Sequence, residues 1–253
     1  MHIQAAMFRK LIGACVGLAM MGMAGTASAG LIYSYDFNNL LSDTLGAGPD
    51  MTNNGGTLGA TGLTFGANQG PTLAAGVLPS SSVYAIEMQV TLDSTIGFAK
   101  LIDFDNLTKD SGLYNASSTT FNFTFCGTDD CADGSVGFTI GDSTNVLFSR
   151  DGANQIVGYL DGIQSFSVSD AAGLALVDTV LNFMRDDSFT TGGESTSGFL
   201  DYIRFYDTAV TPDDLEVPLA TPEPSTLALF ATGLALLAFL GWRQRRVVQV
   251  RAA

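Results

Sequence analysis

Between residues 31 and 206, apolar and polar residues alternate in short runs broken by Gly, Asn, Asp and Ser, with almost no helical periodicity. The clearest run is 84–92, where Tyr84, Ile86, Met88, Val90 and Leu92 fall on one face and are predicted to form one wall of a core. Phe121, Phe123 and Phe125 alternate with Asn122 and Thr124, and Val136, Phe138 and Ile140 repeat the device after a loop. Further strands are predicted at 31–37, 63–65, 98–104, 145–150, 156–160, 164–168, 175–184 and 199–206, with Asp161-Gly162 as a two-residue hairpin turn. Strands at this spacing, joined by hairpins without intervening helices, predict an all-β fold, an antiparallel β-sandwich or jelly roll.

Both ends of the chain depart from this pattern. Arg9 and Lys10 precede an apolar run over 11–23, and Ala27-Ser28-Ala29 has the small-x-small form of a cleavage site. Residues 1–29 thus read as a secretory signal peptide cut after Ala29, which makes the Sec translocon and signal peptidase expected partners. Ile12-Gly13-Ala14-Cys15 has the look of a lipobox, but Cys15 comes before the hydrophobic region has properly begun.

At the other end, residues 227–242 carry no charge and would rise about 24 Å as a helix. That is slightly short for a hydrocarbon core of about 30 Å. Trp242 suits the membrane interface, and Arg243, Arg245, Arg246 and Arg251 would stay cytoplasmic, leaving the body outside. Pro222 and Pro224 prevent helix continuation upstream and leave an extended, accessible peptide just before the apolar run. The expected organisation is a signal peptide over 1–29, a β-sandwich over 30–217, a linker over 218–226, a transmembrane helix over 227–242 and a basic tail over 243–253.

Charge sharpens the division. Five basic residues, Lys100, Lys109, Arg150, Arg185 and Arg204, stand in the exported body, residues 30–226, against twenty-five acids, a net charge of −20. Such a body repels nucleic acid and anionic membrane surfaces, so no nucleic-acid partner is expected. The single histidine is His2, inside the signal, which removes Ser-His-Asp and Cys-His catalysis and histidine-ligated metals from the body. Cys126 and Cys131, with four residues between them, most simply form a local disulfide pinning a loop; the sharper alternative is a two-thiol metal or redox centre.

Two resemblances follow from these residues. The Pro222-Glu223-Pro224 break, the apolar run and the arginine stop together resemble the PEP-CTERM sorting signal of Gram-negative bacteria that secrete exopolysaccharide. That resemblance implies processing by an exosortase, transient anchoring in the inner membrane, and delivery to the cell surface or extracellular matrix. An ordinary single-pass anchor is the competing reading. The stretch 197–215, with its Gly198, the strand from Asp201 to Tyr206, and then Ala209 and a short turn, is similar to the closing signature of laminin-G-like, concanavalin A-like lectin/glucanase domains. In that turn Thr211 is placed to cap, with Pro212 at the first position and Asp213 and Asp214 complementing the dipole. The opening 35–38 and the strand 156–162 fit the same family.

The second resemblance implies a concanavalin A-like jelly roll that hosts lectins, glucanases and adhesion modules. Its hydrolases resemble one another in a Glu-x-Asp-x-x-Glu strand, which this chain lacks. Glu87 is followed by Gln89 where Asp is needed, Glu194 lies in a Gly/Ser/Thr loop, and Glu216 and Glu223 belong to the linker and tail. The expectation is therefore a non-catalytic body, with no cofactor assigned apart from a calcium ion, which such domains often hold at the sandwich rim. Asp103, Asp105 and Asp151 are candidate ligands, although none has the spacing of a defined calcium loop and each reads equally as a turn former. Tyr114, in a stretch read as an exposed loop, is the candidate for stacking on a sugar. Two functions stay open: a surface or matrix protein associated with exopolysaccharide, and a lectin-like glycan- or protein-binding module. A glycoside hydrolase is a distant third.

Overall fold

The computed structural model describes residues 30–95, 97–118, 120–125, 134–188 and 193–215. The chain divides into two units, Met1–Asp214 and Leu215–Ala253. Ala27, Ala29, Cys126, Cys131, Pro222, Glu223 and Pro224 and the apolar run 227–242 lie outside the described residues. Among the described residues no helix is long and apolar enough to cross a membrane.

Thirteen strands are described: β1 (Leu31–Tyr35), β2 (Thr57–Leu58), β3 (Leu63–Phe65), β4 (Thr72–Leu73), β5 (Tyr84–Leu92), β6 (Ala99–Asp103), β7 (Ser111–Ser117), β8 (Thr120–Phe125), β9 (Ser143–Arg150), β10 (Gln155–Leu160), β11 (Ile163–Ser169), β12 (Leu181–Phe183) and β13 (Gly198–Tyr206). One short helix, α1 (Pro212–Leu215), follows. The larger sheet runs β11-β10-β9-β5-β13-β3-β2, with β1 pairing β13 alongside β3; the smaller runs β4-β12-β6-β7-β8. Every pairing between these described strands is antiparallel. The protein is the all-β antiparallel sandwich that its alternation predicts.

The core lies between the two sheets. Tyr84, Ile86, Met88, Val90 and Leu92 are all buried there, as their period of two requires. Phe148 on the larger sheet meets Phe104 and Phe123 from the smaller one, with ring centroids 5.2 and 5.7 Å apart, so aromatic rings bridge the layers. At Asp161-Gly162 both residues adopt positive φ, 47° and 78°, the geometry of the tight turn joining β10 to β11. In α1, Thr211 N and Oγ1 donate to Asp214 Oδ2 at 2.7 and 2.8 Å, and Asp214 N donates back to Thr211 O at 3.0 Å. The Asp214 carboxylate thus takes the part of the N3 acid in a capping box, while the Thr211 hydroxyl, expected to cap by accepting a backbone N–H, donates to that carboxylate instead.

Three predicted elements differ. Residues 136–140 form no strand, because their polar groups are used singly in crossings: Phe121 N donates to Val136 O at 2.7 Å, and Phe138 N to Asn115 Oδ1 at 3.3 Å. Phe138 is buried while Ile140 is exposed. Of 175–184 only Leu181–Phe183 is strand, since Ala175 N is drawn to Asp170 Oδ2 and Val177 N to Ser81 O. Conversely, the stretch around Tyr114, read as a loop, is strand β7, paired on both sides by β6 and β8.

Candidate functional site

Each sheet carries a polar cluster on the face turned from the core. On the larger sheet, β5 and β13 lie side by side with Glu87 opposite Arg204. A register shift between Leu200 and Tyr202 changes which residues of β13 face inward. Leu200, Ile203 and Phe205 therefore enter the core, while Tyr202, Arg204 and Tyr206 fall on Glu87's side.

Glu87 is almost wholly buried beneath them. Its Oε1 accepts from the Tyr202 hydroxyl at 2.8 Å and Asn145 Nδ2 at 2.9 Å, and its Oε2 from the Tyr206 hydroxyl at 2.7 Å. Arg204 Nη1 stands 3.6 Å from Oε2, and its guanidinium lies over the Tyr202 ring at 4.0 Å. Burial, and then the Glu87 charge, push both tyrosine hydroxyls well above their ordinary range, so they remain donors to the carboxylate. With both oxygens occupied, Glu87 is held in place rather than presented to a reacting atom. Beyond this cluster the segment after β13 covers the same sheet face, with Val210 N donating to Ser149 Oγ at 3.0 Å. Tyr159, Val157 and Thr211 help line a shallow pocket there of about 160 Å³. That is small beside the roughly 300 Å³ at which sites enclosing a small molecule begin.

On the smaller sheet the centre is Lys100, a lone lysine in the apolar strand β6. Its ammonium is buried among three carboxylates: Asp103 Oδ2 and Asp186 Oδ1, each at 3.6 Å, and Asp187 Oδ2, which is nearest. Lys100 N donates to the backbone oxygen of Glu194 at 2.9 Å, which sets Glu194 beside the cluster. Burial, and then Asp110 and Asp186, raise the Glu194 carboxyl to about 7, with Lys100 acting in the opposite sense. Burial likewise raises Asp103 above its usual range, against the Leu107 amide, Lys100 and Asn182.

The three aspartates singled out as calcium ligands are not gathered into one site. Asp103 faces Lys100 and accepts from Leu107 N at 2.7 Å. Asp105 holds Lys109 at 2.7 Å and Ser111 Oγ at 2.9 Å. Asp151 belongs to the turn after β9 on the other sheet, accepting from Ala153 N and Gln155 N at 2.9 and 2.8 Å. Among the described residues no three His, Cys, Asp or Glu side chains are grouped to hold a metal.

Tyr114 is a correction to the expectation of an exposed platform: it is 0% exposed. Phe98 packs edge-on against its ring at 5.9 Å, the Lys100 ammonium lies 5.1 Å from the ring centroid, and its hydroxyl donates to Asp110 Oδ1 at 3.1 Å. The face a sugar would stack upon is already occupied by protein. The residues missed by sequence reasoning are Lys100 on one sheet and Tyr202, Tyr206 and Asn145 on the other; Asp186 and Asp187 were legible only as two acidic residues among many. For Lys100 the available signal was a basic residue set among the apolar Ala99, Leu101 and Ile102.

Residues 220–246 match the PEP-CTERM protein-sorting motif. No curated protein matches the chain in sequence. Solved structures share the sandwich. Domain 4 of AbnA, a GH43 extracellular arabinanase from Geobacillus stearothermophilus, in complex with arabinotriose, aligns at a TM-score of 0.58 and 20% identity, over 74% of this chain and 97% of that one. The Trypanosoma rangeli sialidase aligns at 0.54 and 15%, over 75% of this chain and 32% of its own, so the sandwich spans about a third of that enzyme. The botulinum neurotoxin serotype C1 binding domain aligns at 0.54 and 12%, over 73% and 50% respectively. At these identities the likeness is one of fold.

Proposed function

We propose that this chain is an exported surface or extracellular-matrix protein whose sandwich is non-catalytic and associates with exopolysaccharide or biofilm. The observation that carries the proposal is the sorting motif over 220–246, which implies processing by an exosortase and export to the surface of a Gram-negative bacterium. An apolar run held in the membrane until the Pro222-Glu223-Pro224 segment is recognised accounts for the order of the tail. The −20 body suits an extracellular setting, where its charge keeps it soluble. Two features support a non-catalytic body. The chain lacks the Glu-x-Asp-x-x-Glu motif, and Glu87, the one strand glutamate among the described residues, has both oxygens engaged by Tyr202, Tyr206 and Asn145. Deleting 222–224 in the native host should leave the protein in the inner-membrane fraction. Unchanged delivery to the surface or medium would sink the proposal, and sugar release from polysaccharide by the purified body would sink its non-catalytic part.

A second reading, a glycan-binding module, is favoured by the outer face of the larger sheet. There the partly exposed Tyr202 and Arg204 adjoin Asn145 and Gln89, a mixture of aromatic surface and hydrogen-bonding groups of the kind sugars bind. The similar Domain 4 of AbnA was solved with arabinotriose bound, which is consistent with this reading. Retention on a glycan array that Tyr202→Ala abolishes would support it, and retention unaffected by that change would place the sugar elsewhere.

A further inference from the structure

Lys100 and Asp187 are brought together from positions 87 residues apart. Lys100 lies within β6, and Asp187 stands just past β12, the strand hydrogen-bonded to β6. Both side chains are completely buried, and of the three carboxylates around the ammonium that of Asp187 is nearest. A buried pair loses much of its solvation and is weak evidence for stability, so this placement asks for another reason. Transfer of one proton within the pair converts ammonium and carboxylate to amine and acid without changing net charge, and these are the two species that a condensation consumes.

The surroundings supply the rest of a condensation site. Glu194 is fastened at two points: Lys100 N donates to its backbone oxygen, and its own N donates to Asp186 Oδ2 at 2.9 Å. Its Oε2 is buried without a hydrogen-bond partner, as is Asp103 Oδ2. A carboxyl raised to about 7 is poised to take up and give back a proton at neutral pH. The Tyr114 ring walls the lysine on one side, and Phe98 packs against that ring.

We propose that Lys100 and Asp187 close to an intramolecular isopeptide bond, with Glu194 carrying the protons. The lone pair of the unprotonated Nζ adds to Cγ of the protonated Asp187 carboxyl. The Cγ–hydroxyl bond then breaks, one proton passes from Nζ through Glu194 to the departing hydroxyl, and a single water leaves. No oxidant, nucleotide or second enzyme enters the balance. Holding amine and acid side by side in a dry site replaces an encounter in solution with an intramolecular step, the condition under which such condensations accelerate. The bond would clasp β6 to the segment that follows β12. It stands independently of where the protein is delivered.

The test is a peptide map of the full-chain protein purified from its host and digested with trypsin. The expected result is no cleavage after Lys100, and a branched product joining the peptide that ends at Lys109 to 186–204, lighter by one water than the two separate peptides. Recovery of a peptide ending at Lys100 together with unmodified 186–204 overturns the proposal, whatever the variants do. Asp187→Ala should give only separate peptides, and Asp187→Asn, if it links, should give the same branched product with ammonia lost in place of water. Glu194→Gln should leave the protein folded by circular dichroism but unlinked; a Glu194→Gln protein that links at the wild-type rate overturns the role of Glu194.

Discussion

Arg150 Nε lies 2.9 Å from Asp170 Oδ2, and both side chains are almost wholly buried. The pair ties the end of β9 to the turn after β11. Arg150 also reaches Ser82 O and, at 2.9 Å, Asn154 Oδ1, while the Asp170 carboxylate accepts from Leu174 N at 2.7 Å and Ala175 N at 3.1 Å. The remaining hydrogen-bonding capacity is therefore met as well as the charge. Removing one partner leaves a buried charge uncompensated, a loss of about 3 to 5 kcal/mol. Arg150→Met and Asp170→Leu should each show this in urea unfolding. The double replacement should recover part of the loss but not all, because the Leu174 and Ala175 amides stay unsatisfied.

Asp43 sets an acid limit on stability. Burial alone would raise its carboxyl, but the amides of Ser34, Gly48, Ala47 and Leu45 outweigh that and hold it below its usual value. The unfolded chain thus binds a proton at a higher pH than the native one. The contribution is complete above the unfolded value of about 3.9 and is lost as pH falls through the lower native value. Urea midpoints followed from neutral pH into acid should decline in this range for the wild type, and less steeply for Asp43→Asn. At neutral pH that variant should be weaker by about 1 to 3 kcal/mol, since an amide cannot serve four donors as a carboxylate does.

Phe148 should be among the most costly core positions. It meets Phe104 and Phe123 across the sandwich and Tyr84 on its own sheet, so truncation opens a cavity between layers that neither sheet can close alone. Phe148→Ala should cost about 3 to 5 kcal/mol in equilibrium denaturation. Phe148→Leu, which keeps most of the volume, should cost about 1.5 kcal/mol.

What the chain reveals in advance depends on how local the cause is. The wall on β5, the inward Phe121 and Phe123, the Asp161-Gly162 turn and the short helical turn over 211–214 each rest on residues a few positions apart, and each is legible. Strand β7 is not, because Ser111 to Asn115 are buried on both faces and carry no alternation to read. Tyr114 consequently passes for a loop tyrosine. Lys100 and Asp187 take meaning only when folding brings them together, and Glu87 only when the shift near Tyr202 turns two tyrosines towards it. Both polar clusters were hidden for that reason, although every residue in them was visible.

Gly198 is held to glycine by the strands on either side of it. It lies on β13 between Leu92 of β5 and Phe65 of β3, flanked on both sides. A Cβ there would stand 2.1 Å from Thr91 O and 2.9 Å from Phe65 Cζ. The first obstacle is backbone of a central strand and cannot swing aside, so the sheet itself must shift. Gly198→Ala should therefore destabilise by about 1 to 3 kcal/mol, a fall in Tm of roughly 2 to 4 °C for each kcal/mol in a domain of this size. Gly152, whose added Cβ would meet only Val83 Cγ2 at 3.8 Å, is the matched control. Gly152→Ala should stay within about 0.5 kcal/mol of wild type. Equal Tm values for the two variants would show that the spacing of β5, β13 and β3 tolerates a side chain at Gly198.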